Sequence, residues 1–489
     1  MSKPYTLLIV IYMLTLLTCV SSAQNLPPPG SQSATARDFP HSKWTVLVYM
    51  SADNELDKYA MRNIHAMEAA APPRDDAHAG VTILVQLDRC SKNTTPASWT
   101  DTRRYHLVRD QRLARLFARV KDQPPLAMPN AEHPDSPIYH LSGRIPNSLP
   151  MNAPVPLLPA KGMEQIRSPR LDAPPLGKLD MGDPDTLNDF IRWGQQTAPA
   201  DHYLVYTWGH GNGWRLEDDA LPDETGSTPV PAVQAKSFCD DDGYDPDGTS
   251  INSAQLSDAL ASTKHIDVLA MDNCMMAMFE VAYQVHQQVD YLTASEEEIP
   301  DCGFDYYDTL GALTRLHGDI APAALARLIA ANNQAAWQHY GLANTLTNSA
   351  IIVGKIPAAA HALHTLVQRL VALPERDNPA LERAREECME FGMVTDFDGA
   401  YDIIDLCDYL QRLIRYVPDD GVRREARAAE QAVHACVLAN FASPPYDFAH
   451  GLSMYVPSSQ TMTRKYLKTY GAFAFCHDTN WLQWLTKTP

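Results

Sequence analysis

The chain has 489 residues, a length that is enough for a large hydrophobic core and for two or three domains. Its residues are 45% hydrophobic and 20% charged, as in an ordinary globular protein. Its formal net charge is −19, because 59 acidic residues outnumber 40 lysines and arginines. This balance argues against nucleic acid as a partner, since nucleic-acid-binding proteins carry a basic surface, and it is compatible with basic substrates.

The N-terminus has the three parts of an export signal. Lys3 supplies a positive charge, residues 7–17 form an apolar run, and Ser21 and Ala23 are the small residues that precede a cleavage site. We therefore predict that residues 1–23 are a signal peptide. An uncleaved anchor is the alternative, although the apolar run is short for a membrane span.

After the predicted cleavage site, residues 24–42 are rich in Pro, Ser and Gln and predict a disordered linker. We predict no transmembrane span once the signal is removed, and hence a secreted or periplasmic protein. A lipid anchor on Cys19 is an alternative location, although Thr18 fits a lipoprotein box poorly.

The cysteines are scattered without a C-x-x-C pair, which argues against a zinc site, and an exported protein could oxidise some of them.

Short apolar runs alternate with helix-like segments in the first two thirds of the chain. The predicted strands are 44–50, 81–87, 203–208, 266–271 and 291–294, with 104–108 closing a hairpin, and the predicted helices are 56–70, 185–195 and 253–262. Strands that alternate with helices indicate βαβ units. The sequence therefore predicts an α/β fold with a mainly parallel sheet flanked by helices.

The remaining segments differ in character. Residues 123–178 are crowded with prolines and predict a long surface insertion. From about residue 316 the chain is mainly helical, with two further predicted strands at 349–353 and 451–456. We therefore predict an α/β domain over residues 43–315 and a largely helical C-terminal region over 316–489.

Cys274 stands at the end of the buried strand 266–271, just before a segment, 275–285, with helical spacing. Open α/β sheets bind their ligands at the carboxyl ends of the strands. A helix N-terminus also favours a thiolate. Both arguments make Cys274 a candidate nucleophile, whereas the alternative is an inert cysteine in the core.

His210 ends another predicted strand and lies between Gly209 and Gly211. An imidazole can take the proton of a thiol and later protonate a leaving amine, so His210 and Cys274 would suit nucleophilic catalysis if the fold brings them together. Glycine on both sides lets other backbone or a ligand approach closely. The N–H of Gly211 is also a candidate donor to an oxyanion. A capping or core histidine is the alternative.

Several ordered blocks resemble the clostripain family of cysteine peptidases, relatives of gingipains, legumains and caspases. The blocks are WTVLVYMSADNEL (44–56), LDMGDPDTLNDFIRW (179–193), YLVYTWGHGNGW (203–214), IDVLAMDNCMMAMFEVA (266–282), TASEEEIPDCGFDY (293–306) and AHGLSMYVP (449–457). The resemblance implies a caspase-like catalytic domain in which His210 is the general base and Cys274 the nucleophile.

The resemblance also implies a substrate class, namely proteins or peptides cleaved after Arg and often Lys. Asp272 matches the acidic residue of the basic-side-chain pocket, and a guanidinium does need a carboxylate partner when it is buried. An N-cap role is the alternative for Asp272. Asp301 is the first candidate for a second pocket acid, and Asp305 is the next.

Family members are often zymogens that cut themselves between the histidine and cysteine strands, which here predicts cleavage between Lys236 and Ser237. The chemistry requires no cofactor, but some relatives depend on calcium. An acidic loop without EF-hand spacing supplies weak candidate ligands for that ion, namely Asp240, Asp242, Asp245 and Asp247.

These observations together predict an exported cysteine endopeptidase. A catalytically silent surface binding protein on the same fold is the alternative. A serine hydrolase is disfavoured, because the sequence has no G-x-S-x-G motif.

Overall fold

A computed structural model describes most of the chain. The described residues are 39–76, 78–90, 99–121, 165–214, 237–244, 248–340, 346–374, 378–392, 402–457 and 470–486. The predicted signal peptide, nearly all of the predicted linker and residues 123–164 of the predicted insertion lie outside them.

The described residues form twelve strands and thirteen α-helices. The strands are β1 (Ser42–Ala52), β2 (Val81–Arg89), β3 (Arg103–His106), β4 (Ala200–Trp208), β5 (Phe238–Asp241), β6 (Thr249–Ile251), β7 (Ile266–Asp272), β8 (Val289–Ala294), β9 (Thr347–Ile352), β10 (Ile403–Asp405), β11 (Val437–Ala442) and β12 (Ser453–Tyr455). The helices up to the end of β8 are α1 (Asp57–Ala70), α2 (Gln111–Lys121), α3 (Pro184–Thr197), α4 (Leu256–Ala259) and α5 (Phe279–Gln284). The later helices are α6 (Tyr306–Arg315), α7 (Pro322–His339), α8 (Ile356–Ala372), α9 (Asn378–Glu386), α10 (Leu406–Tyr416), α11 (Asp420–His434), α12 (Ala474–Thr479) and α13 (Trp481–Leu485).

Eight strands form one mixed sheet in the order β11-β9-β8-β7-β4-β1-β2-β3. The five central strands, from β8 to β2, run parallel, whereas β3, β9 and β11 pair antiparallel at the two edges. The predicted α/β fold is thus confirmed, including the hairpin of β2 and β3. Two strands that follow residue 316, β9 and β11, extend the same sheet beside the helices of that region.

The sheet is covered on both faces. Alternate residues of a strand point to opposite faces, and those of β1 divide accordingly: Val46 and Val48 pack into one hydrophobic cluster and Leu47 and Tyr49 into the other. Helices α1, α2, α6 and α7 contribute to the first cluster, and the second contains α3, α5 and most of the C-terminal helices. All seven residues of β7 are buried, as the uninterrupted apolar run predicts for a central parallel strand.

Local sequence signals fix where helix α3 begins. The side chain of Asp183 accepts a hydrogen bond from the amide of Asp185, and Pro184 occupies the first turn of α3, where a missing N–H costs nothing. Helix α3 then packs under β1 and supports the strand that leads to the loop after Ala52.

The eight cysteines from Cys90 to Cys476 are free in the structure. Among the described residues, no helix is both long enough and apolar enough to cross a lipid bilayer.

Candidate active site

A cavity of about 340 Å³ opens at the carboxyl ends of β4 and β7. These strands are neighbours, and Trp208 pairs with Asp272 at the last position of their register. The residues that follow, which include His210 and Cys274, therefore leave the sheet side by side. Both side chains line the cavity.

Cys274 lies in a loop and not at the start of a helix. Met275 has a left-handed backbone (φ 61°), and α5 begins only at Phe279. The prediction that a helix N-terminus stabilises the thiolate of Cys274 is therefore wrong, because a loop separates the end of β7 from the start of α5. The amide of Ile299 donates to Sγ of Cys274 at 3.4 Å. Burial nevertheless raises the pKa of the thiol, Glu298 raises it further, and only the Ile299 amide opposes them.

The His210 imidazole contacts a carboxylate that the sequence does not single out. Its Nε2 lies 2.8 Å from Oε1 of Glu55, in the loop between β1 and α1. The preceding Gly209 has φ 142°, which a residue with a side chain rarely adopts. Glycine thus allows the sharp turn that carries the imidazole from the end of β4 into the cavity.

Gly211 permits the close approach of the two strand ends. A Cβ atom at this position would lie 2.4 Å from the carbonyl oxygen and 2.6 Å from the amide nitrogen of Cys274. Gly211 also forms an isolated antiparallel bridge with Phe238. The backbone bonds flanking that bridge involve the amide of Asn212 and the carbonyl of His210, and neither engages the Gly211 N–H.

Asn273 joins the two strand ends through its side-chain amide. Its Nδ2 donates to the carbonyl oxygens of Gly209 at 3.0 Å and His210 at 2.9 Å, and its Oδ1 accepts from the Thr207 hydroxyl at 2.6 Å. The residue is fully buried. The sequence left the role of Asn273 open, because its partners lie more than sixty residues away.

Asp272 lines the same cavity and is buried at the end of β7. Its carboxylate accepts hydrogen bonds from the Phe304 amide at 3.0 Å and the Tyr306 hydroxyl at 2.8 Å. Burial raises its pKa to about 7, while these two bonds act in the opposite direction. The alternative of a helix cap is excluded, because Met278 occupies the N-cap position of α5.

The two candidates for a second pocket acid lie in different places. Asp301 lines the cavity and interacts with the Tyr59 hydroxyl. Asp305 caps α6, accepting a hydrogen bond from the amide of Asp308, and lines a neighbouring cavity of about 200 Å³. The structure therefore brings Asp301, and not Asp305, to the same cavity as Cys274.

The predicted cleavage and calcium residues fall only partly within the described residues, since Lys236, Asp245 and Asp247 lie outside them. Ser237 is buried, and its carbonyl oxygen accepts from the amide of Asn212 at 2.6 Å, two residues from His210. Asp240 lines the cavity at the end of β5.

One convergent acidic cluster is found within the described part of the chain, and it consists of Asp53, Asp88 and Asp241. The ammonium group of Lys178 bonds to Asp53 and Asp88 and lies 4.0 Å from Asp241. Neither Asp240 nor Asp242 belongs to this cluster. A lysine thus supplies the positive charge at its centre.

Comparisons with known proteins agree with this geometry. The profile of the clostripain family matches residues 157–487, more than half of the chain. Clostripain of Hathewaya histolytica is 29% identical over 136 residues, which are 26% of this chain. That match spans about a quarter (24%) of the relative's own length.

Solved structures share the fold. A secreted C11 cysteine protease from Bacteroides thetaiotaomicron, bound to an irreversible peptide inhibitor, aligns with a TM-score of 0.58 at 17% identity. An inactive zymogen of a C11 protease from Parabacteroides distasonis aligns with a TM-score of 0.56 at 18% identity. Each alignment covers 90% of this chain and 99% of the other.

Proposed function

Because this chain belongs to the clostripain family, we propose that it is an exported cysteine endopeptidase that cleaves after Arg or Lys. The observation that carries the proposal is the convergence of Cys274, His210 and Asp272 on one cavity at the ends of two adjacent parallel strands. The alternative of a silent binding protein has no comparable support, because both reactive side chains are present and line the same cavity.

The reaction would proceed through an acyl-enzyme. The thiol of Cys274 gives its proton to His210, and the sulfur attacks the peptide carbonyl carbon to form a tetrahedral oxyanion. Since Nε2 of His210 faces Glu55, we assign the proton transfer to Nδ1. When the C–N bond breaks, the imidazolium protonates the leaving amine and a thioester remains. Water then loses a proton to His210 and attacks the thioester, which releases the acid and the thiol.

A raised thiol pKa suits this route. Because the thiol keeps its proton at rest, that proton moves to His210 as the sulfur attacks, and catalysis does not require a standing thiolate. The Gly211 N–H is our candidate donor to the oxyanion, because Gly211 lies directly against the backbone of Cys274.

Specificity for Arg or Lys rests on the charge of the cavity. Asp272, Glu298 and Asp301 line it, and no Lys or Arg appears among the described residues that do so. An arginine side chain that enters such a cavity exchanges water for charge-assisted hydrogen bonds to carboxylates. Asp272, the more deeply buried of the two, is the first candidate for that bond and Asp301 is the second.

Export rests on the predicted signal peptide and on the description of a structural relative as a secreted protease. Attachment through a lipid on Cys19 remains the alternative. Mass spectrometry of the mature protein would separate the two, since cleavage after Ala23 gives an N-terminus at Gln24 without a lipid.

A positional-scanning peptide library tests the function directly. We expect hydrolysis after Arg and Lys and little hydrolysis after neutral or acidic residues. The library should be run with calcium added and with a chelator, because calcium binding by the loop around Asp240 and Asp242 is still a prediction. Cleavage after residues of another class would contradict the proposal, and equal rates with calcium and chelator would remove the calcium prediction.

We expect self-processing between Lys236 and Ser237. Ser237 lies beside the loop that carries His210, since its carbonyl oxygen accepts from the amide of Asn212. Mass spectrometry of the active protein should show a C-terminal fragment that begins at Ser237, whereas the Lys236→Gln and Cys274→Ala variants should stay as one chain. Full activity in an intact wild-type chain would show that this cleavage is not needed.

A further inference from the structure

Glu298 is a carboxylate of the active-site cavity to which the mechanism above gives no task. It lies in the segment after β8, one residue before Ile299, whose amide contacts Sγ of Cys274. Its side chain is half-buried and lines the cavity together with Cys274 and His210. It is therefore next to the bond that would be cleaved.

Other carboxylates of the cavity have protein partners. Asp272 accepts from Phe304 and Tyr306, and Glu55 contacts His210. Asp301 interacts with the hydroxyl of Tyr59. For the carboxylate of Glu298, by contrast, no hydrogen bond or ion pair is found with any residue that the structure describes.

The surroundings of Glu298 make the ionised carboxylate unfavourable in the free protein. Burial, with smaller contributions from the neighbouring acids Glu297 and Asp301, raises its pKa to about 7, and His210 is the group that opposes them. Among the described residues that line the cavity there is no lysine or arginine to pair with this half-buried carboxylate, and a bound molecule can supply such a cation.

We propose that Glu298 binds a second basic side chain of the substrate, so that this protein prefers to cleave at two adjacent basic residues. The inference rests on the proposed function, in which Asp272 takes the first basic side chain at P1. Asp272 is buried at the end of β7, whereas Glu298 is half-buried and comes directly before Ile299, whose amide contacts Sγ of Cys274. The second cation therefore comes from a residue that adjoins P1, on either side of the cleaved bond.

Three quenched fluorescent peptides test this inference. They share one sequence and differ only around the cleaved bond, with Ala-Arg-Ala, Lys-Arg-Ala or Ala-Arg-Lys at positions P2, P1 and P1′. For the wild-type protein we expect one lysine peptide to exceed the alanine peptide in kcat/KM by roughly tenfold, as one charge-assisted hydrogen bond would give. In Glu298→Gln the ratio should fall to about one, and in Glu298→Asp it should stay above one.

Asp301→Asn is the matched control, because it removes the same charge from the same cavity. If the second cation binds Glu298, Asp301→Asn changes kcat/KM for all three peptides by the same factor. The ratio of kcat/KM between the lysine peptide and the alanine peptide then stays as in the wild-type protein. An equal fall of the ratio in both variants would indicate a general effect of negative charge and would overturn the inference. A wild-type ratio near one for both lysine peptides would overturn it as well.

The ratio can also be obtained from binding, in case Glu298→Gln is too slow to assay. In a Cys274→Ala background, the dissociation constants of the same peptides should show the same preference and the same loss on Glu298→Gln. The outcome also distinguishes the role of Glu298 from the proposed function. Cleavage of all three peptides without preference refutes only the role of Glu298, whereas no cleavage by the wild-type protein refutes the proposed function and the inference with it.

Discussion

Replacing Cys274 with alanine should lower kcat/KM for Arg and Lys reporter peptides by about four orders of magnitude or more, because no other group can form the acyl-enzyme. The fold should persist, since Cys274 is half-buried in a loop and its Sγ accepts only the Ile299 amide among the hydrogen bonds described. The measurement is steady-state hydrolysis combined with thermal unfolding of the same preparation.

Cys436→Ala is a suitable control for the loss of a thiol. This cysteine is buried between α11 and β11 and does not line the cavity, so the variant should lose some stability and keep its hydrolysis. An arginyl chloromethyl ketone should label wild-type protein at Cys274 alone. Retained hydrolysis in Cys274→Ala, or labelling at a different cysteine, would contradict the assignment of the nucleophile.

Replacing Asp272 with asparagine should lower kcat/KM for arginine peptides by about 100-fold or more, since a guanidinium would be buried without its carboxylate partner. Asparagine keeps the size of the side chain: its Oδ1 can still accept from the Phe304 amide, and its Nδ2 can donate to the Tyr306 hydroxyl oxygen, so the local structure should hold. Steady-state hydrolysis of arginine peptides measures the loss. A variant that loses activity equally on all peptides, including those with neutral P1, would point to a structural role instead.

The pH dependence of cation binding gives a second readout for the same variant. The pKa of Asp272 in the free protein is raised to about 7, so its carboxyl is mostly protonated below that pH and mostly ionised above it. A basic side chain binds the ionised form, and affinity should therefore weaken as the pH falls below about 7. The inhibition constant of benzamidine should show this dependence in the wild-type protein. In Asp272→Asn the inhibitor should bind weakly, and the part of the pH dependence due to Asp272 should disappear.

The sequence was sufficient to predict seven of the eight strands of the main sheet, all except β11, and to propose the pairing of His210 with Cys274. Uninterrupted apolar runs identify central parallel strands, and such strands end at one edge of a sheet, which made the meeting of His210 and Cys274 a reasonable expectation. The helix predicted directly after Cys274 failed because the apolar spacing of residues 275–278 is also that of a buried loop. Periodicity does not distinguish the two when the segment is short.

Contacts between distant residues account for what the sequence missed. Glu55 reaches His210 from the loop that follows the neighbouring strand β1, and the acidic cluster around Lys178 draws its members from four separate segments. The residues next to an acidic side chain in the sequence do not indicate which distant residue it will contact. The sequence singled out Asp240 and Asp242 in the acidic loop as calcium candidates, and it did not indicate the cluster in which the ammonium of Lys178 lies among Asp53, Asp88 and Asp241.

The amide of Asn273 has a consequence for how the dyad can move. One side chain bonds to Thr207, Gly209 and His210 while its own backbone leads into Cys274, so base and nucleophile are fastened to each other as well as to the sheet. A displacement of one strand end would carry the other with it. The entropy of aligning the two groups is then lost once, when the chain folds, and not again in each turnover. Mobility that substrate binding requires has to come from the surrounding loops.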